Sequence, residues 1–182
     1  MAGDDAWIRA EMGGTSRASV IGKPEVVVAL LRRANRPLFI VGHEVAEGPD
    51  GEVLSVFIEV VSRLRDIPVI GTSPVVKDLM KHGIRITAVM GGMEAADRLR
   101  DPEWKGCDGL SPYDLILIAG IPYSFCWTIL SGIRNSAPGL KTIILDRKYQ
   151  PHASWSFGNM AAGPWKEQLQ AVMTLLEEDK HV

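Results

Sequence analysis

Four histidines, two cysteines and a scatter of carboxylates are what this sequence offers for chemistry. "HEVAE", His43 to Glu47, carries the first half of a zinc-protease helix motif, but the second histidine is missing and Gly48-Pro49 follows at once. Zinc would need both imidazoles on one helical face, so metal-assisted hydrolysis is set aside. Cys107 and Cys126 are too few and too isolated for a disulfide framework, a four-ligand zinc site or a cysteine-held iron–sulfur cluster. Cys126 also lies on the apolar stripe of a helical pattern, where a thiol behaves as a small hydrophobe. No serine sits in a G-x-S-x-G elbow, and neither G-x-G-x-x-G nor G-x-x-x-x-G-K-[ST] occurs. Nucleophilic catalysis, the dinucleotide fingerprint and the P-loop all lack their residues. What remains is four pairs at the ends of apolar runs: Gly42-His43, Gly71-Thr72, Gly120-Ile121 and Asp146-Arg147. The free N–H groups of a helix that follows such a glycine attract anions, and Asp146 could accept from ribose hydroxyls. Turn glycines, a hydrogen-bonded structural His43 and an Asp146 that caps its own turn are the plainer readings.

One further stretch concentrates unusual side chains. "LDRKYQPHASWSFGNM", Leu145 to Met160, holds Tyr149, His152, Trp155 and Phe157 without helical or strand period. These rings could stack on an adenine or flavin, bury against the sheet edge, or anchor a protein interface. We expect a wrap over the sheet in which Phe157 is buried while part of Tyr149, His152 or Trp155 stays accessible.

The elements that must position these residues are legible from periodicity. Pro24 opens a helix with Val27, Leu30, Leu31 and Ala34 on one face, and Arg32, Arg33 and Arg36 near its negative end. "PLFIVGHE" reads as a first strand and "PDGEVLSVFIEVVSRLR" as a helix with Val53, Phe57, Val60 and Leu64 on one stripe. "DIPVIGT" is a second strand, and "SPVVKDLMKHG" a helix with Ser73 as N-cap, Pro74 just inside and Gly83 at the exit. "IRITAVMGG" gives a third strand, then a short helix and a long turn-rich connection lead to "YDLILIAG", the fourth. A helix with Cys126, Ile129, Leu130 and Ile133 inward, a fifth strand "LKTIIL", and a helix from about Pro164 with Trp165, Leu169, Val172 and Leu176 inward complete the chain.

Strands of Leu, Ile and Val without polar alternation need two dry sides, so the alternation implies an α/β fold, a doubly wound, mainly parallel, Rossmann-like sheet with helices on both faces. If the long connection returns the fourth strand beside the first, the strand order is 3-2-1-4-5. The switch point then falls between strands one and four, with Gly42, His43, Gly120 and Ile121 at its mouth and Gly71, Thr72, Asp146 and Arg147 flanking. Residues 1–22 read as an N-terminal arm and 23–182 as a single domain, a size that 182 residues fit.

Composition narrows the partners. With 46% hydrophobic and 23% charged residues the chain is an ordinary globular one, and a net charge of −2 provides no field for nucleic acid or an anionic membrane. The N-terminus has acids where a signal peptide needs cations, and no apolar run approaches the roughly 18 residues of a membrane span, so we expect a cytoplasmic protein.

Running text carries one more inference. "SPYDLILIAG" and "TILSGIRNSAPGLKTIILDRKYQPHASWSFGNM", with "DPEWKGCDG", "RPLFIVG" and "IPVIGT", resemble the epsilon subunit of the archaeal acetyl-CoA decarbonylase/synthase complex, from about Ala18 to the last helix. The step D-R-x-Y followed by S-F-G-N is the most telling part. The resemblance implies a fold like the NAD/FAD-binding domain of deoxyhypusine synthase and the middle domain of thiamine-diphosphate enzymes. It also implies a small accessory subunit, not catalytic alone, that binds and stabilises the large alpha subunit in an alpha-two epsilon-two assembly. That alpha subunit holds the nickel–iron carbon monoxide dehydrogenase centre and the iron–sulfur clusters of a complex that reversibly makes and cleaves acetyl-CoA. The alternative it carries is an FAD- or NAD-binding subunit that assists electron transfer from alpha to FAD. For the isolated chain it leaves a homo-oligomer open.

Overall fold

Apolar runs that cannot tolerate water on either side form the middle of the sheet. The computed structural model describes residues 17–47, 54, 56–59 and 67–178. At its centre β2 (Pro37–Val41) lies parallel to β5 (Leu115–Ala119), which pairs in turn with β6 (Lys141–Ile144). On the other side of β2 come β3 (Val69–Gly71) and β4 (Ala88–Val89). Two short strands, β7 (Trp155–Ser156) and β1 (Ser19–Val20), extend the sheet beyond β6. The order is β1-β7-β6-β5-β2-β3-β4 and every pairing is parallel. The run β4-β3-β2-β5-β6 is the predicted order 3-2-1-4-5, and the switch point lies between β2 and β5 as expected.

Period-two alternation sends the strand residues into two separate cores. Phe39, Val41, Leu117, Ala119 and Ile143 face one side, where α1 (Pro24–Arg33), Phe57, Ile58, α2 (Val76–Lys81) and the last helix, α5 (Ala162–Glu178), cover them. Leu38, Ile40, Ile116, Ile118 and Ile144 face the other, under α3 (Gly92–Arg100) and α4 (Tyr123–Ser136). Cys126, Ile129, Leu130 and Ile133 are the buried stripe of α4, and Trp165, Leu169, Val172 and Leu176 that of α5, as their spacing predicts. Of the stripe expected between the first two predicted strands, Phe57 is buried; Val53, Val60 and Leu64 lie outside the described residues.

Two expectations are adjusted. Residues 73–75 form a 3-10 turn ahead of α2 whose cap position is Thr72, and neither Thr72 nor Ser73 contributes a side-chain capping bond. Gly83 does close the helix, with φ +75° in the left-handed region that glycine enters at no steric cost. The stretch read as a wrap without strand period contains β7, and part of the N-terminal arm forms β1 beside it. Tyr149 ties the two together: its hydroxyl donates to the Ala18 carbonyl at 2.9 Å. Among the described residues no helix is long and apolar enough to cross a membrane.

Candidate functional site

All eight predicted site residues lie at the carboxyl ends of the strands, yet the structure does not gather them into one crevice. Pairing continues past the ends of β2 and β5: the Gly42 N–H donates to the Ala119 carbonyl (2.8 Å) and the Glu44 N–H to that of Gly120 (2.9 Å). The 3-10 turn His43–Ala46 is thereby folded across the end of β5. Only glycine permits this approach. A Cβ on Gly42 would stand 2.2 Å from the Gly120 carbonyl oxygen, and one on Gly120, whose φ is +67°, would stand 2.4 Å from the Val45 nitrogen. The mouth of the switch point is therefore shut, and a cleft opens on either side of it.

The smaller cleft, of about 220 Å³, is lined by Glu44, Glu47, Leu54, Ile121, Tyr123, Asp146, Arg147, Lys148, Gln150 and Trp165. Asp146, two residues beyond the end of β6, is part of the lining, and the Gly120 N–H donates to its Oδ1 at 2.9 Å. Burial pushes its carboxyl up to about 7, with Glu44 adding to the rise; the Gly120 bond and Lys148 oppose it only in part. Gln150, 3% exposed, is held by two bonds: its backbone N–H donates to Ser156 Oγ (3.0 Å) and its side-chain Nε2 to the Tyr123 carbonyl (2.9 Å). A carbonyl partner fixes the amide orientation, which leaves Oε1 buried with no hydrogen-bond donor. Trp165 closes the wall, its indole N–H donating to the Leu145 carbonyl at 2.8 Å.

The larger cleft, of about 420 Å³, lies toward β3 and β4 and is mainly apolar. Gly42, His43, Thr72, Pro74, Met93, Ile121, Pro122 and Phe125 line it. Met93 and Phe125 remain 44% and 37% exposed, a costly placement for large apolar side chains in water. Phe125 lies across the start of α3, since a Cβ on Gly92 would meet its Cε1 at 2.8 Å. His43 is half-buried, with Nε2 3.8 Å from Glu47 Oε1.

The predicted residues thus divide. Gly42, His43 and Thr72 face the apolar cleft, Asp146 and Arg147 the polar one, and Ile121 borders both. Gly120 is the buried divider, and Gly71 is packed under Val76. Of the aromatic stretch, Phe157 is fully buried while His152 and Trp155 stay half-buried, but Tyr149 is 1% exposed because its bond to Ala18 holds it inside. Sequence reasoning missed Gln150, Tyr123 and Phe125, whose roles arise from contacts between different loops. Among the described residues no three His, Cys, Asp or Glu side chains converge to hold a metal ion. Among the described residues the Gly42–Gly120 contact separates the two clefts.

Comparison with known proteins adds an independent line. The model of the family described as "CO dehydrogenase beta subunit/acetyl-CoA synthase epsilon subunit" matches residues 7–175. Three relatives are each named as an epsilon subunit of the acetyl-CoA decarbonylase/synthase complex. The one from Methanothrix soehngenii is 34% identical over 142 residues, 78% of this chain and 74% of the relative. That from Methanothermobacter thermautotrophicus is 28% identical over 90% of this chain and 91% of its own length. An Archaeoglobus fulgidus relative, epsilon 1, is 30% identical over 80% and 77% respectively.

Proposed function

Because the chain belongs to the CO dehydrogenase beta subunit/acetyl-CoA synthase epsilon subunit family, we propose that it is a non-catalytic subunit that binds and stabilises the large alpha subunit of an acetyl-CoA decarbonylase/synthase complex, in an alpha-two epsilon-two unit. The observation that carries this reading is the apolar cleft with Met93 and Phe125 at its rim. A concave apolar surface gains from contact with a protein partner in proportion to the area it removes from water, about 25 cal/mol per Å². Its two large rim side chains can serve as anchors, the role in which a few residues carry most of an interface's energy. The alternative is an FAD- or NAD-binding subunit that assists electron transfer from the alpha subunit to FAD.

The test is direct binding of the purified chain to the alpha subunit of the same organism. Met93→Glu and Phe125→Ser should each weaken that binding by about tenfold or more, on the order of 1–3 kcal/mol, and the melting temperature of the isolated Met93→Glu chain should stay close to the parent's. Unchanged affinity in both variants would move the interface elsewhere, and absence of any complex would end the subunit reading. Stabilisation of the chain by FAD or NAD(H) would favour the nucleotide-binding alternative, because a ligand of the folded state raises stability by mass action.

A further inference from the structure

The smaller cleft has acceptors that the described residues satisfy only in part. Gln150 Oε1 is buried without a donor, an arrangement that a folded chain leaves uncompensated only at a cost. Asp146 receives a hydrogen bond at Oδ1 from Gly120, and no bond to its Oδ2 is formed by the described residues. Glu44 and Glu47 adjoin them, so three acidic residues and Gln150 line one cavity of about 220 Å³, with Glu47 also 3.8 Å from His43. The cations of the lining are Arg147 and Lys148, and Lys148 is exposed. Three acidic residues against two basic ones, with one buried amide oxygen unpaired, call for an occupant that is cationic and carries several donors.

Apolar and aromatic walls narrow the choice. Leu54, Ile121, Tyr123 and Trp165 complete the lining. An ammonium is a compact, strongly hydrated charge that loses much by entering such a place, whereas a guanidinium is weakly hydrated, tolerates ring faces and presents five donors in a planar fork. A phosphate is disfavoured by the three carboxylates. We propose that this cleft binds a guanidinium group, held by the Asp146 carboxylate and the Gln150 amide oxygen with Glu44 beside them. The site does not depend on docking to an alpha subunit, and it goes beyond that reading. The guanidinium can belong to a free small molecule or to an arginine side chain of a protein.

Binding should be linked to pH. The charged and titratable groups around Asp146 are Glu44, Glu47, Arg147, Lys148 and the thiol of Cys126, with His43 behind Glu47. Cys126 is itself pushed far up by burial and stays neutral, so it adds no charge. A cation draws Asp146 into its ionised form, and with that carboxyl near 7 in the empty cleft affinity should tighten about tenfold between pH 6 and 8.

The experiment is a calorimetric titration of the full chain with agmatine at pH 6 and pH 8, with butylamine, inorganic phosphate, FAD and NAD as parallel arms. Agmatine should bind, tenfold tighter at the higher pH, and butylamine at least tenfold more weakly than agmatine. Asp146→Asn should abolish the pH dependence and most of the affinity, and Gln150→Met should weaken binding while leaving its pH dependence. The pH comparison on the unmodified chain stands even where a variant fails to fold. No binding of agmatine, binding indifferent to pH and to Asp146→Asn, or occupation of the cleft by phosphate, FAD or NAD in its place would overturn the proposal. N-acetylarginine methylamide binding more tightly than agmatine would assign the site to a protein side chain, and the reverse order to a free guanidine compound; both outcomes support it.

Discussion

Gly120→Ala tests the central claim about the switch point, and its cost can be worked from the structure. Gly120 has φ +67°, a conformation that costs a residue with a Cβ about 1–2 kcal/mol. The new methyl would stand 2.4 Å from the Val45 nitrogen, 2.6 Å from its Cγ2 and 2.9 Å from the Gly42 carbonyl oxygen. Two of those atoms are backbone, so relief requires the 43–46 turn to lift. Val45 is fully buried, and lifting it breaks the 2.9 Å bond from the Glu44 N–H to the Gly120 carbonyl and loosens packing beneath. Leaving a buried carbonyl unpaired adds about 1–3 kcal/mol. The total is about 2–5 kcal/mol, which for a chain of this size lowers the melting temperature by about 4–20 °C. Gly163→Ala is the control: its Cβ meets nothing within 4 Å in the first turn of α5, so alanine there should stabilise by about 0.4–1 kcal/mol. Circular-dichroism melts and urea titrations of both variants give the answer. A Gly120→Ala chain melting within about 2 °C of the parent, a loss below what one destabilising kcal/mol would produce, would show that the two loops can part freely, and the closed mouth would lose its meaning.

Two further perturbations probe the neighbouring structure. Tyr149→Phe removes the donor to the Ala18 carbonyl and should cost about 1–2 kcal/mol; hydrogen exchange should accelerate at the Ser19 and Ile21 amides, which bond to the Ser154 and Ser156 carbonyls, and unchanged protection there would refute the tie. Asp146 has a folded-state pKa raised from 3.8 to about 7, so the folded chain keeps a proton that the unfolded chain has released. That contribution to stability is complete below about pH 4 and is lost as pH rises through 7. Asp146→Asn retains the acceptor for the Gly120 N–H and should leave stability at pH 4 near the parent's while raising it at pH 8 by on the order of 1–3 kcal/mol; urea midpoints that shift equally at both pH values would contradict the burial argument.

Four of the central strands, β2, β3, β5 and β6, were readable as apolar runs distinct from their flanks, and β4, two residues long, through the longer stretch "IRITAVMGG" that contains it; one long connection marks where the winding reverses. The two helices α4 and α5 were readable for the same reason, through their repeat of buried positions. What escaped was anything without an apolar run around it, or built from contacts between distant loops. β1 and β7 are too short to display a period, and their pairing depends on a tyrosine bonded to a carbonyl 131 residues away. Gln150 is a polar residue beside a proline, which in sequence signals a loop; its burial arises only when the Tyr123 carbonyl and Ser156 hydroxyl are brought to it. Glycines 42 and 120 were read as turn residues or anion sites. Their common role in letting two backbones touch is a property of the pair, and no single position reveals it.

That contact also determines how the two clefts relate. His43 faces the apolar cleft and Glu44 and Glu47 the polar one, so a single four-residue turn supplies both walls and Ile121 borders both. Moving the turn must therefore disturb both surfaces, whereas exchanging Asp146 for its amide alters charge in one and leaves the backbone of the other in place. An apolar surface for a protein and an acceptor-rich hole for a guanidinium ask for different chemistry, and a shut switch point lets one sheet edge hold both without mixing their solvents. Two glycines packed together at the mouth of the switch point make parting the two loops a matter of breaking two backbone hydrogen bonds, from Gly42 and from Glu44, so the separation of the clefts is as firm as those bonds.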